Sequence, residues 1–106
     1  MSFIQLQELK SREVIPGFTG RFVHSENMTV AFWTVKAGAV APVHTHPHEQ
    51  VFMAMEGTFE LTIDGQSREY RPGSVAVIPS NVPHSARAVT DCQVIDIFHP
   101  VREDLR

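Results

Sequence analysis

Proline and glycine divide this 106-residue chain into short segments. Because both residues interrupt regular structure, the chain is restricted to short secondary-structure elements. The seven prolines occur singly, between apolar segments rich in Val, Ile and Thr. These three β-branched residue types total 26, against 12 for Leu plus Ala, which is the reverse of what a helical bundle requires. Short strands at this density predict an all-β fold, built as a sandwich or a small barrel.

The clearest predicted strand is Thr58 to Ile63, where apolar and polar residues alternate. The Asp64-Gly65 pair that follows is typical of a two-residue hairpin turn and predicts a return strand from Gln66 to Arg71. Other apolar runs bounded by turn residues predict strands at Arg21 to His24, Met28 to Lys36, Val51 to Met55, Ser74 to Ile78 and Cys92 to Phe98. The runs that begin at Met28 and Cys92 are apolar on both faces, as expected for strands between two layers or under a rim.

Length, charge and cysteine content exclude several classes of protein. The chain fits one compact domain, so residues 1–106 are predicted to form a single domain, with Phe3 to Lys10 and Val101 to Arg106 as helices or extended arms. A net charge of −3 without a Lys/Arg cluster argues against a nucleic-acid partner. No apolar stretch is long enough to cross a bilayer and no signal peptide is recognisable, so we expect a cytoplasmic protein without a membrane partner. Cys92 is the one cysteine, which excludes an intrachain disulfide and predicts a small buried apolar side chain.

Histidine spacing indicates a metal site. His44 and His46 are two residues apart, so both imidazoles leave the same face of an extended segment. Gln50 would lie on this same face of the extended segment, whereas the side chain of Glu49 would point to the opposite face. Because Pro47 could shift the register, Glu49 remains an alternative ligand. A His-x-His pair on a strand is also common at protein surfaces, so the pair alone does not establish a metal.

A further ligand is expected from a separate strand, at His84. Its neighbours on the same face are Ala86 and Ala88, whose small side chains leave volume beside the imidazole for a metal with an open coordination position. Ser85 and Arg87 occupy the other face and are expected to contact solvent.

The remaining histidines are weaker candidates. His48 would lie on the same face as His44 and His46 in an extended segment, but it follows Pro47 in a predicted corner. His24 and His99 have no partner at metal-ligand spacing and are expected at the surface.

The residue spacing in segments 38–57 and 73–88 resembles the two sequence motifs of the cupin superfamily. The first motif is represented by Gly38, His44, His46, Gln50 and Gly57, with Gln where Glu is commoner. The second is represented by Gly73, Pro79 and His84, with Asn81 in place of a glycine and Ala88 in place of a frequent asparagine. The resemblance implies a cupin double-stranded β-helix, or jelly-roll barrel, with a divalent metal ion held by His44, His46, Gln50 and His84.

Two segments carry a narrower resemblance, to the KdgF-type pectin-degradation cupins. They are His44-Thr-His-Pro-His-Glu-Gln50 and the tail Asp96-Ile-Phe98-His-Pro-Val-Arg102-Glu-Asp104. This resemblance implies that Asp96, Phe98 and Arg102 line the site. It also implies ring opening and ketonisation of a 4,5-unsaturated monouronate to a linear keto sugar. A homodimer is expected by analogy with other small cupins.

The resemblance assigns each of these residues a role. Asp96 would move a proton between the anomeric hydroxyl and C4, Arg102 would hold the substrate carboxylate, and Phe98 would pack against the sugar. Asp96 lies in an apolar run, where an unpaired carboxylate is costly. A structural alternative is therefore that it pairs with Arg102 or with loop amides.

The predicted ligand set also has chemical consequences. Three neutral imidazoles and a neutral amide leave the full dipositive charge on the metal, which favours an anionic small-molecule substrate. The set contains no thiolate and suits Zn, Ni, Fe or Mn. Two other functions remain open, namely another metal cupin enzyme, such as an isomerase or dioxygenase, and a non-enzymatic sugar or small-molecule binding protein.

Overall fold

Two facing antiparallel sheets make up the computed structural model, which describes residues 1–106. The ten strands are β1 (Arg12–Ile15), β2 (Phe18–His24), β3 (Thr29–Val35), β4 (Val40–His44), β5 (Glu49–Glu56), β6 (Phe59–Ile63), β7 (Gln66–Tyr70), β8 (Val75–Ile78), β9 (His84–Ala88) and β10 (Cys92–His99). One-turn 3-10 helices at Leu6–Glu8 and Glu103–Leu105 are the helical elements. The all-β prediction is therefore confirmed. No helix is long and apolar enough to span a membrane.

The order of the strands produces a double-stranded β-helix. The larger sheet has the order β1-β2-β3-β10-β5-β8, and the smaller sheet has the order β4-β9-β6-β7. From β3 onwards the chain alternates between the two sheets, apart from the β6–β7 hairpin. Asp64 and Gly65 form the tight turn of this hairpin, with φ values of 50° and 80° that match the predicted turn.

Alternation along the strands buries one face of each sheet. In β10, Cys92, Val94, Asp96 and Phe98 point inward, whereas the residues between them are exposed or half-buried. Phe52 from the larger sheet stacks on Phe59 from the smaller sheet, with ring centroids 5.2 Å apart. The sheets are thus joined by interdigitating apolar side chains, which leave the polar inward residues at one end of the barrel.

The centre of the larger sheet is less covered than the apolar runs predict. β3 pairs with β10 along its full length, but outward residues of β10, such as Ile95 and Ile97, are half-buried. Farther along the same sheet, Val75 and Val77 are 56% and 63% exposed. The outer face is therefore an apolar surface without a second layer over it.

Local contacts explain two further positions. Cys92 is buried, as predicted, and its Sγ–H donates to the carbonyl of Thr58 at 3.1 Å. Burial raises the pKa of this thiol. β1 is absent from the predicted strands because its residues do not alternate, and it is held at the sheet edge by pairing with β2.

Candidate metal centre

Three imidazoles meet at one end of the barrel. His44 ends β4 and pairs directly with His84, which begins β9. His46 lies in the connection that leaves β4. The potential ligand atoms of these three side chains lie within 4.8 Å of one another.

Backbone hydrogen bonds orient each of the three rings. The Nδ1–H groups of His44, His46 and His84 donate to backbone carbonyls two residues away, at 2.7, 3.0 and 2.8 Å. An imidazole that donates from Nδ1 carries its lone pair on Nε2. The backbone therefore selects the tautomer in which Nε2 of each ring can bind a cation.

Two observations show that the Nε2 atoms of these histidines, together with Gln50 Oε1, fit a metal ion. His84 Nε2 is buried and has no hydrogen-bond partner. His46 Nε2 lies 3.0 Å from Gln50 Oε1, although both atoms carry lone pairs once His46 donates from Nδ1. Buried acceptors that face each other or remain unpaired are unfavourable without a donor or cation between them. A divalent ion satisfies these acceptors together.

Burial also favours the neutral form that a metal requires. Desolvation lowers the pKa of His46 and of His84 below the usual value of 6.5. The positive charge of Arg102 lowers both values further, as does a neighbouring histidine in each case. Protons therefore compete less with a metal at these two rings than at an exposed imidazole.

Gln50, and not Glu49, faces the histidines. Gln50 is 6% exposed and points inward from β5, whereas Glu49 is exposed. The prediction that one extended segment carries His44, His46 and Gln50 is wrong, however, because the chain leaves the smaller sheet after His44 and enters the larger sheet at Glu49. Gln50 reaches the histidines from the opposite sheet, so the side chains converge across the barrel.

A buried carboxyl holds Gln50 in place. Gln50 Nε2–H donates to Asp96 Oδ1 at 2.8 Å, which directs Gln50 Oε1 toward His46. Asp96 Oδ2 accepts a hydrogen bond from Trp33 Nε1–H at 3.1 Å. Trp33 was not among the predicted site residues, because only the pairing of β3 with β10 brings it beside Asp96.

The environment of Asp96 suits proton transfer near neutral pH. Asp96 is 9% exposed, and burial raises its pKa to about 6. The hydrogen bonds from Gln50 and Trp33, and the charge of Arg102, oppose this increase because they stabilise the ionised form. The balance gives a carboxyl whose two protonation states are close in free energy near pH 6.

Arg102 forms its ion pair with Asp104 and not with Asp96. Arg102 Nε donates to Asp104 Oδ1 at 2.9 Å, and Arg102 Nη2 donates to Asp104 Oδ2 at 2.7 Å. The guanidinium also lies over the Phe98 ring, 4.6 Å from its centroid. Phe98 is only 3% exposed and packs edge-on against His46, so most of its surface is covered by the protein.

The other histidines are outside the cluster. The His48 ring packs against His46 and Phe98, at centroid distances of 5.5 and 6.4 Å. His24 is half-buried, with Nδ1 2.8 Å from the Thr29 hydroxyl, and His99 is exposed.

A cavity of about 420 Å³ opens onto these groups. The three clustered histidines, Gln50, Asp96, Phe98 and Arg102 all line it. Its remaining wall is largely apolar and includes Phe52, Phe59 and Leu61. The polar groups are therefore gathered in one part of a hydrocarbon-lined pocket, as in many small-molecule sites.

Comparisons with known proteins agree with this architecture. Residues 31–98 match the Cupin domain family. The structure of KdgF from Halomonas sp. is 31% identical, with a TM-score of 0.94 over 100% of this chain and 99% of that chain. An RmlC-like cupin from Shewanella frigidimarina is 26% identical, with a TM-score of 0.94 over 100% of this chain and 96% of that chain. The pectin degradation protein KdgF of Dickeya dadantii is 32% identical over 69 residues, which are 63% of each chain.

Proposed function

This chain belongs to the cupin domain family, and from that premise we propose that it is a metal-dependent enzyme that opens the ring of a 4,5-unsaturated monouronate. The observation that carries the proposal is a buried carboxyl, Asp96, which lines the same cavity as three histidines and an arginine. The similarity to proteins called KdgF, one of them named for pectin degradation, supports a uronate as the substrate.

The proposed metal ligands are His44, His46 and His84 through Nε2, and Gln50 through Oε1. A divalent ion on these neutral ligands would supply a Lewis acid that retains its full charge. The ligand types suit Zn, Ni, Fe or Mn.

Arg102 is the proposed binding group for the substrate carboxylate. Its side chain is 16% exposed and lines the cavity, so an ion pair formed there is partly shielded from water. The planar guanidinium can donate two parallel hydrogen bonds to a carboxylate. This geometry favours an anionic sugar acid over a neutral sugar.

Asp96 is the proposed catalytic acid and base. In its ionised form it accepts the proton of the anomeric hydroxyl, while the C1–O5 bond breaks and its electron pair passes to O5. The immediate product is the C4–C5 enolate, with its negative charge on O5 and an aldehyde at C1. Return of the proton from Asp96 to C4 then gives the C5 ketone, so the reaction is an isomerisation without a redox step. A pKa of about 6 lets Asp96 accept and return a proton near neutral pH.

The apolar wall is proposed to exclude water from the reacting carbons. Phe98 lies beneath Arg102 and can offer only a small surface to the sugar, because it is 3% exposed. Its main contribution in this proposal is to support the guanidinium and His46 from below.

The decisive experiment follows the ultraviolet absorbance of the conjugated C4–C5 double bond. Metal-loaded protein is incubated without oxygen with a panel of 4,5-unsaturated monouronates, and the loss of absorbance is compared with the spontaneous rate. We expect acceleration on at least one uronate. Turnover that requires oxygen would instead indicate a dioxygenase, and binding without turnover would indicate a binding protein.

Two substitutions test the assigned roles. Asp96→Asn is expected to slow turnover about a hundredfold or more, the usual scale for acid and base catalysis. Metal content is measured alongside, because the new amide meets the N–H groups of Gln50 and Trp33. Arg102→Ala is expected mainly to raise KM, whereas Arg87→Ala, on the exposed side of β9, serves as a control with unchanged KM.

We also propose that the chain forms a homodimer through the outer face of the larger sheet. That face exposes apolar side chains, among them Val75 and Val77. Light scattering on the purified protein tests the proposal. Val77→Glu should convert a dimer to a monomer, and a wild-type monomer would contradict the proposal.

A further inference from the structure

We propose that Asp104 is a positioning residue that holds Arg102 by one edge of the guanidinium, so that the opposite edge receives the carboxylate of the substrate. The inference rests on the proposed function, since it assigns a second residue to the binding of the anionic group. Asp104 differs from the other candidate residues because it acts on the substrate through Arg102.

The ion pair between Asp104 and Arg102, called the clamp below, has two hydrogen bonds. Two parallel hydrogen bonds, of 2.9 and 2.7 Å, join Nε and Nη2 of Arg102 to the two carboxylate oxygens of Asp104. The Arg102 side chain is 16% exposed and the Asp104 side chain is 60% exposed. Asp104 therefore binds the guanidinium from the more exposed side, while Arg102 lies deeper.

The clamp leaves donors free on the other edge. A guanidinium has five N–H groups, and Asp104 accepts from only two of them. The N–H groups on Nη1, and the second one on Nη2, have no acceptor in the protein. Arg102 and Asp104 both line the cavity, and the unpaired donors give Arg102 the capacity to take a second carboxylate there.

Three other contacts fix the remaining freedom of Arg102. Its backbone N–H donates to the hydroxyl of the fully buried Thr29 at 2.9 Å. The guanidinium carbon lies over the Phe98 ring, 4.6 Å from its centroid. Leu105, which is 6% exposed, anchors the turn that carries Asp104, and its N–H donates to the carbonyl of Arg102 at 3.1 Å. Contact with the ring alone leaves the guanidinium free to rotate, and the two hydrogen bonds to the Asp104 carboxylate remove that rotation.

The opposite role for Asp104 makes a different prediction. If the substrate used the Nε edge, Asp104 would compete with it, and removal of Asp104 would lower KM. If Asp104 positions Arg102, its removal raises KM. The direction of the change in KM therefore separates the two roles.

The kinetic test compares four variants of the metal-loaded protein. Asp104→Ala is expected to raise KM about fivefold with little change in kcat, the size expected of an exposed ion pair. Asp104→Asn keeps one acceptor and should lie between wild type and Asp104→Ala, whereas Asp104→Glu should restore most of the affinity. Glu103→Gln is the matched control, because it removes the Glu103–Arg106 ion pair in the same turn and leaves Arg102 untouched. An unchanged or lowered KM in Asp104→Ala overturns the inference.

A second measurement does not depend on turnover. The NMR signals of the Arg102 guanidinium are followed in wild type and Asp104→Ala while acetate is added. We expect a saturable change in wild type and weaker acetate binding, by about fivefold, in the variant. Equal or tighter acetate binding by the variant overturns the clamp. If no uronate is turned over but acetate binding weakens as expected, the proposed function fails and the clamp stands.

Discussion

Replacing Trp33 with phenylalanine is expected to raise the pKa of the Asp96 carboxyl. The indole N–H donates to Asp96 Oδ2 at 3.1 Å and stabilises the ionised carboxylate. Phenylalanine keeps an aromatic ring but has no donor, so the ionised form loses one of its two side-chain hydrogen bonds. The hydrogen bond from Gln50 remains.

The size of the effect follows from the burial of the pair. A hydrogen bond to a charged group contributes about 1.5–3 kcal/mol. Because one pKa unit corresponds to about 1.4 kcal/mol, the pKa of Asp96 should rise by about one to two units from its value of about 6. Asp96 is 9% exposed, so solvent screening removes little of this effect.

The pH dependence of kcat/KM is the assay. The rate should fall on the acidic side as Asp96 becomes protonated, and the midpoint of this fall should move to higher pH in Trp33→Phe. Both proteins carry the same metal, so the effect of its charge cancels in the comparison. A carbon NMR titration of the Asp96 carboxyl measures the same shift without substrate.

The control must separate the hydrogen bond from the packing of the ring. Trp33 packs edge-on against Phe22, with centroids 5.3 Å apart. Phe22→Leu therefore disturbs the same aromatic cluster without touching Asp96, and should lower the melting temperature without moving the pH midpoint. An unchanged or lowered midpoint in Trp33→Phe would refute the role assigned to the indole.

Ionisation of the same carboxyl also changes the stability of the fold. Its pKa is about 6 in the folded chain and 3.8 without the fold, so the folded state binds more protons between these values. Ionisation of Asp96 thus removes about 3 kcal/mol of stability from the metal-free protein as pH rises from below 4 to above 6. Chemical denaturation of wild type and Asp96→Asn across this range measures the difference.

Further outcomes concern the metal and the backbone. His84→Ala is expected to lose most of a bound divalent ion measured by elemental analysis, and full retention would contradict the site. Gln50→Ala should weaken metal binding while Glu49→Gln should not, and the reverse result would assign the ligand to the exposed carboxylate. Because the pKa values of two clustered imidazoles lie below 6.5, the metal-free protein should lose their contribution to stability as pH falls below 6.5, and acid should also release the metal. Gly57→Ala should destabilise the fold by about 2 kcal/mol or more, since φ is +83° and the new Cβ overlaps neighbouring backbone, whereas Gly38→Ala meets no neighbour and should cost only about 1 kcal/mol for its positive φ. Thermal denaturation compares the two.

Local sequence was sufficient for much of the fold. The alternation from Phe59 to Ile63 and the Asp64-Gly65 turn predict the β6–β7 hairpin, because strand faces and tight turns depend on residues that are neighbours in the chain. Each of the strands predicted by range is present, with ends that differ by a few residues. The pattern of a strand does not reveal what covers its second face, so the half-exposed outer surface of the larger sheet was not predictable.

The candidate site, like the fold, was predictable from the sequence only in part. The spacing of His44 and His46, with His84 farther along, predicted three residues that the structure brings together. The sequence could not show that Gln50 approaches the histidines from the opposite sheet. Nor could it show that Trp33 and Gln50 donate hydrogen bonds to Asp96, or that Arg102 forms an ion pair with Asp104. Trp33 and Asp96 are 63 residues apart, and only the register of β3 against β10 makes them neighbours. Periodicity within a strand determines which way each side chain faces. Which other side chains it contacts depends on which strands pair, and in what register, once the sheets have closed around a common core.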